Sequence, residues 1–284
     1  AYLWGIDPQY TEQVMALFDA YIQKLADYQQ ELQASGRQIR KMVCPTTISE
    51  LEEGLPIRIG PKASSGVILR GDTFVELGNP DAGSSSFILW TNNTNLIRDG
   101  SITLIGSDIP ESAGDSLPFG QVLMVGGADL GKEEHSLLEG NQYIADQIEG
   151  YMLKSIPQHM WGRVSVDAAG KGFNFEILGR ALMAIFRSTV PKIEAMEAMF
   201  ITSCKEDLQP LDNIGEQIRE ISSNITKETW KAKGYDLEEI ECTLGWDCRS
   251  CESKPVCDDI RTVVKVRKKK PTKSKSTAKD GING

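Results

Sequence analysis

The sequence predicts a mixed α/β chain: a mixed sheet with flanking helices, an N-terminal helix before it, and a small cysteine-rich segment and a basic tail after it. Three observations carry that expectation. Apolar residues recur at three- and four-residue steps in several long stretches. Short runs rich in Val, Ile, Leu and Phe, bounded by Gly and Pro, lie between them. The two kinds of run alternate without an internal repeat, which suits an α/β or α+β layer architecture.

Taken in order, residues 10–34 place Val14, Leu17, Phe18, Tyr21, Leu25 and Leu32 on one helical face, and Ser35-Gly36 ends the helix. Ile57–Ile59, Val67–Leu69 and Thr73–Leu77 are short β-like pieces separated by Gly and Pro. Phe87–Thr91 reads as a buried strand, Asn92–Asn95 as a turn and Ile102–Ile105 as a further strand. Gly120–Leu130 is a strand running into glycines. Residues 133–152 read as a helix with acids at its start, where they suit the positive end of the helix dipole. Met160–Val166 is a short strand, 175–188 a helix, Ala195–Ser203 a helix-to-strand segment and 211–232 a helix.

A length of 284 residues allows one large domain or two ordinary ones. An apolar share of 40% and a charged share of 25% are those of an ordinary globular chain. No apolar run approaches the roughly eighteen residues of a membrane span. The opening Ala1-Tyr2-Leu3-Trp4-Gly5 has no basic flank of a secretory signal, so a cytoplasmic location is expected. The first residue is not Met, so the chain is expected to be processed or cut from something longer. The net charge of -9 conceals an asymmetry: residues 261–280 hold nine Lys or Arg and one Asp. The body before them is acidic, which argues against nucleic-acid binding as the main task. The tail lacks apolar periodicity and is expected to be disordered. It is a solubilising extension on the plain reading, or a docking arm for an acidic partner subunit or nucleic acid on the functional one.

The most informative run is Cys242, Cys248, Cys251 and Cys257, four thiols within sixteen residues. Cys248 and Cys251 form a Cys-x2-Cys pair, and five residues separate each outer cysteine from it. Such spacing lets four sulfurs converge on an iron–sulfur cluster or a zinc ion. Structural zinc more often takes two separated Cys-x2-Cys knuckles, and one is present here, so a [4Fe–4S] cluster is the expectation. Cys44 and Cys204 stand alone in apolar surroundings and read as buried small side chains. The histidines, His135 and His159, lack metal-ligand spacing and read as surface or structural residues. No Gly-x-Ser-x-Gly elbow suggests a hydrolase. Gly126-Gly127-Ala128-Asp129-Leu130-Gly131 follows a strand and precedes a helix, but matches neither phosphate-loop spacing. It reads as a strand-to-helix turn, with a phosphate or CoA contact as the alternative.

The series FVELGNP, LIRDGSITLIGSDIPE, LPFGQVLMVGGADL, then HSLLEGNQYIADQIEGYMLKSIPQHMWGRVSVDAAGKGFNFEILGRALMAIF and VPKIEAMEAMFITS resembles the acetyl-CoA synthase (beta) subunit of the CO dehydrogenase/acetyl-CoA synthase complex. The likeness spans about half the chain, residues 74–202, and rests on the order of motifs rather than on any one of them. It implies the family's middle domain followed by a variant cluster-binding segment. Cys242-Thr243-Leu244 matches the opening of the family's thiolate run, but Gly245 stands where its second cysteine falls. No cysteine follows Cys257, so the family's nickel-binding turn is expected to be absent and nickel is doubtful. The family's middle domain is thought to bind CoA through arginines and a tryptophan. That carries over to Trp161 and Arg163, with His159 in place of a family arginine and Arg180 and Arg187 near by. Arginine forks suit the phosphates of CoA, and an indole face can stack on adenine. The plain alternatives are a packed Trp161, and arginines paired with Glu176, Glu194 and their neighbours.

The expected organisation is an N-terminal helical segment over 1–48, an acetyl-CoA-synthase-like core over 49–235, an iron–sulfur segment over 236–264 and a basic tail over 265–284. The expected role is an iron–sulfur protein that binds CoA or acyl-CoA and works with partner subunits, CO-dehydrogenase-like or corrinoid, in joining a methyl group, CO and CoA. The alternatives are a non-catalytic [4Fe–4S] electron-transfer or docking module and a structural zinc module. No catalytic residue is identified from the sequence.

Overall fold

The computed structural model describes residues 8–232, apart from 62, 64–66, 129, 131–133, 135–136, 139–143 and 157–158. The four clustered cysteines, His135 and the basic tail lie outside the described residues. The described elements are helices α1 (Pro8–Ala34), α2 (Ile48–Glu52), α3 (Val166–Gly170), α4 (Phe175–Thr189) and α5 (Gln209–Ala232). The strands are β1 (Ile39–Val43), β2 (Thr73–Leu77), β3 (Ser84–Thr91), β4 (Ser101–Ile105), β5 (Ser116–Leu117), β6 (Phe119–Gly126), β7 (Tyr151–Ile156), β8 (His159–Ser165) and β9 (Ala195–Ile201). None of the described helices is long and apolar enough to cross a membrane.

Two mixed sheets form. The larger runs β1-β4-β9-β6-β3 and the smaller β5-β2-β8-β7. In the larger sheet β4 and β9 are parallel, as are β3 and β6, while β6 and β9 are antiparallel. The central strands β4, β6 and β9 are buried along their whole length. Strands covered on both faces read as continuous apolar runs, whereas the edge strand β3 begins with strict alternation. Consecutive residues of β9 face opposite helical layers. Phe200 meets Phe175 of α4 with ring centroids 5.0 Å apart, while Met199 accepts a hydrogen bond from Gln29 of α1. Helix α5 joins α1 on its side, where Leu208 and Leu211 crowd the backbone at Gly120. The smaller sheet adjoins the larger where the Met160 backbone N–H donates to Ser84 Oγ at 2.8 Å. Gly78 (φ +68°) makes this junction possible, because a Cβ there would lie 2.6 Å from that of Ser84 and 2.7 Å from the Met160 carbonyl.

The helix α1, strands β2, β4, β6 and β8 and helices α4 and α5 fall where the pattern places them. Four expected elements change, Val67–Leu69 among them, which forms no strand. Ala195–Ile201 is strand throughout, not helix-to-strand: its Ala, Met and Glu residues favour helix, but a position buried between two helical layers overrides propensity. Glu197 is buried there because Arg98 pairs with it. The proposed helix over 133–152 does not reach its end, since Ile144–Gln147 is a 3-10 turn and Tyr151 opens β7. Gly150 (φ +72°) breaks the run, at a site where a Cβ would lie 2.3 Å from that of Ala168. Ile57–Ile59 forms no strand; Ile59 makes an isolated bridge to Ile148.

One compact unit spans Ala1–Leu237. Within it β1 pairs with β4, and Phe18, Tyr21, Ile22, Leu25 and Leu32 lie in the common core.

Candidate functional site

The alternation of β8 divides its side chains between two faces. Met160 and Val164 point into the core, and Trp161, Arg163 and Ser165 share the opposite face. The antiparallel registers then fix the neighbours: Glu76 on β2 and Met152 on β7 flank Arg163, and the exposed Lys154 stands across from Trp161.

The Arg163 guanidinium lies 4.2 Å from the centroid of the Trp161 ring, a stacked cation–π pair. Its Nε donates to Glu76 Oε1 at 3.1 Å, and a terminal nitrogen approaches the same oxygen at 3.0 Å. The other terminal nitrogen donates to the Ile68 carbonyl at 2.9 Å. The Ile68 N–H in turn donates to Met152 Sδ at 3.3 Å. Val67–Leu69 therefore lies across this face without joining a ladder. Ile68 is buried while Val67 and Leu69 are 60% and 65% exposed, so the alternation that reads as a strand is real but its partners are side chains. Trp161 Nε1 is buried and finds no hydrogen-bond partner among the described residues.

Arg180 and Arg187 do not join this face. Both sit on α4. Arg180 donates to the carbonyls of Glu50, Leu51 and Glu53 at 2.6–3.2 Å, capping the carbonyl end of α2. Arg187 is buried against the Asp99 carboxylate, which also accepts from the Met196 N–H at 2.9 Å. Neither pairs with Glu176 or Glu194, the acids nearest in sequence. Glu194 serves the glycine turn instead: its Oε1 accepts from the Ala128 N–H at 3.1 Å. A carboxylate thus occupies an amide that a phosphate-cradling loop would present. Gly127 is required by packing, since a Cβ there would lie 2.4 Å from the Lys192 carbonyl.

Burial pushes both the Cys44 and Cys204 thiols above the ordinary value. Cys44 is buried as expected, but Cys204 is half-exposed, with a nitrogen of Arg37 3.3 Å from its sulfur. Among the described residues no three His, Cys, Asp or Glu side chains gather as a metal site. His159 opens β8.

Sequence reasoning missed Glu76, Lys154 and Ile68. Strand alternation marks Glu76 and Lys154 as outward-facing, but only the register brings them to Trp161 and Arg163.

Fold and face together define a mixed α/β domain with an aromatic–arginine surface on its smaller sheet. The sequence model of the CO dehydrogenase/acetyl-CoA synthase complex beta subunit matches residues 55–207, a span that holds most of both sheets. The chain belongs to that family. It is 26% identical over 200 residues to the acetyl-CoA decarbonylase/synthase complex subunit beta 1 of Methanosarcina thermophila, covering 70% of this chain and 40% of that protein. It is also 26% identical over 203 residues to subunit beta of Methanothermobacter thermautotrophicus (71% and 42%) and over 205 residues to subunit beta of Archaeoglobus fulgidus (71% and 37%). The chain thus spans about two fifths of the length of these relatives.

Proposed function

We propose that this chain handles CoA or an acyl-CoA within a multisubunit system that makes or cleaves acetyl-CoA. The family match carries the reading, because residues 55–207 include the strand that bears Trp161 and Arg163. The relatives are named as subunits of an acetyl-CoA decarbonylase/synthase complex, which supports action with partner subunits, CO-dehydrogenase-like or corrinoid. Of the four residues considered for CoA, Trp161 and Arg163 are retained and Lys154 is added. Arg180 and Arg187 are assigned to holding α4 in place. An indole with an arginine and a lysine beside it suits an adenine ring carrying phosphates.

Cys242, Cys248, Cys251 and Cys257 fit a [4Fe–4S] cluster by the chemistry of the donor set: four thiolates supply the charge and softness that iron–sulfur centres take. Bound there, a cluster would supply one-electron chemistry or a bridge to a second metal. A non-catalytic electron-transfer or docking module is the second reading. Gly245 favours it, standing where the resembled family has its second cysteine.

Two measurements test these assignments. Calorimetric titration of the full chain should show CoA binding that weakens with salt and on removal of the 3′-phosphate. Arg163→Ala should lower affinity about tenfold, the value of one lost charge-assisted contact. No heat at millimolar CoA would refute the CoA assignment. Metal analysis of anaerobically purified protein should give about four irons with sulfide per chain. A single zinc would refute the cluster, and nickel in addition to iron would favour the synthase over the electron-transfer module.

A further inference from the structure

The contacts of Arg163 raise a conflict that the CoA reading must resolve. The edge of the guanidinium formed by Nε and one terminal nitrogen is the fork that grips two oxygens of a phosphate. In this protein that edge is already filled: both nitrogens converge on Glu76 Oε1, at 3.1 and 3.0 Å. The Arg163 and Glu76 side chains are 12% and 26% exposed, so water does not screen the pair as it would a surface ion pair. Strand register holds the backbone of Glu76 opposite Arg163, so its carboxylate returns to the fork whenever no ligand fills it. Nor can the two anions share the fork, since a carboxylate and a phosphate within a few ångströms in a half-buried site repel each other.

We infer that Glu76 is a built-in competing anion, and that a phosphate-bearing ligand binds this face by displacing the Glu76 carboxylate from Arg163. The inference rests on the CoA reading of the face. The displacement costs affinity, but in the empty face Glu76 neutralises Arg163 and, with the Ile68 carbonyl, holds the guanidinium flat on Trp161. A ligand phosphate restores the lost pairing, and Glu76 swings toward water or toward Lys154 on the same face. The site is thereby selective for strong multivalent anions over weak ones. A monocarboxylate offers Arg163 nothing that Glu76 does not already give.

The test is titration of CoA into the full chain and into Glu76→Gln and Glu76→Asp variants, with circular dichroism as the check on folding. Glutamine keeps the shape and an acceptor oxygen but removes the charge, so Glu76→Gln should bind CoA about tenfold more tightly than the parent chain. Aspartate keeps the charge but falls short of the fork by about one methylene, so Glu76→Asp should lie between the two. Glu76→Asp decides the matter if Glu76→Gln does not fold. Acetate up to millimolar concentrations should not displace CoA from the parent chain. Equal or weaker binding by the folded variants, with the parent binding CoA, overturns the competing-anion role and makes Glu76 a support for Arg163; the CoA reading survives that result. Absence of CoA binding in parent and variants alike refutes the CoA reading itself, and the inference falls with it.

Discussion

Glu149 shows how single residues tie distant parts of this chain together. Its carboxylate accepts from the Arg58 backbone N–H at 2.8 Å and from Lys171 Nζ at 3.0 Å, and the Arg58 guanidinium also reaches it. These contacts, the backbone hydrogen bond foremost, lower its pKa from 4.5 to about 2. A carboxyl whose pKa is lower folded than unfolded stabilises the fold above the unfolded value and loses that contribution as pH falls through the folded one. Glu149 therefore contributes fully above pH 4.5 and progressively less toward pH 2. Urea unfolding at pH 5 and pH 3 should show a smaller loss of stability in Glu149→Gln than in the parent. Equal losses would show that the three contacts do not hold in solution. The pair Arg187–Asp99 makes a second residue-scale case. Arg187 is 10% exposed and Asp99 32%. Asp99→Ala strands a buried guanidinium and should cost about 3 kcal/mol, whereas Arg187→Met leaves a carboxylate that water and the Met196 N–H still satisfy and should cost about 1 kcal/mol. Denaturant midpoints of the two variants decide it, and the reverse order would show that Asp99 is the more deeply committed group.

At the scale of elements, α4 is the piece whose seating decides most. Asn174 caps it by accepting from the Ile177 N–H at 2.9 Å, and Asp108 accepts from the Phe175 N–H at 3.0 Å, tying the helix start to the turn after β4. Gly179 lets the helix lie close on the sheet, where a Cβ would come within 2.6 Å of Ile102 Cδ1 and 2.9 Å of its Cγ1. Helix propensity alone favours Gly179→Ala by about 1 kcal/mol. Ile102 is fully buried, so overpacking of about 1–3 kcal/mol should outweigh that gain and leave the variant less stable. Adding Ile102→Val removes the clashing methyl and should recover part of the loss. A stabilised single variant would mean that the helix rides higher on the sheet than the contacts indicate. The sheet beneath was only partly legible. Ile102–Ile105 carries clean strand chemistry, whereas Ile39–Val43 follows the long first helix and mixes two basic residues with three apolar ones. What makes that stretch a strand is its pairing with Ser101–Ile105, more than fifty residues away.

The whole molecule, as far as it is described, closes one core between two helical layers and a second sheet. Because Ala1–Leu237 is a compact unit, a chain ending at Leu237 should unfold in a single cooperative transition by circular dichroism. A broad or multiphasic transition would show that residues beyond Leu237 are needed to complete the core. A chain lacking α1 should behave differently. Removing Phe18, Tyr21, Ile22, Leu25 and Leu32 uncovers Met199 and the α5 side of the larger sheet, and dye-binding, weakly cooperative behaviour is expected. The candidate site was legible at the same scale only in part. The series of motifs located Trp161 and Arg163 on one strand, and their spacing of two placed them on one face. Arg180 and Arg187 look equivalent to them in sequence, yet the turn of α4 directs one to the end of α2 and the other to Asp99.

The class of fold, the order of most elements, the family and the placing of Trp161 and Arg163 on one strand were legible without the structure, because helical period, strand alternation and motif order are properties of local sequence. Only long-range packing sets Arg163 on the Trp161 face and sends Arg180 to the end of α2 and Arg187 to Asp99. It also decided that Glu76 fills the fork of Arg163, that Glu194 fills the glycine turn and that Ala195–Ile201 is a strand. Each of these depends on strand register or on burial between layers, and both are set by residues far away along the chain.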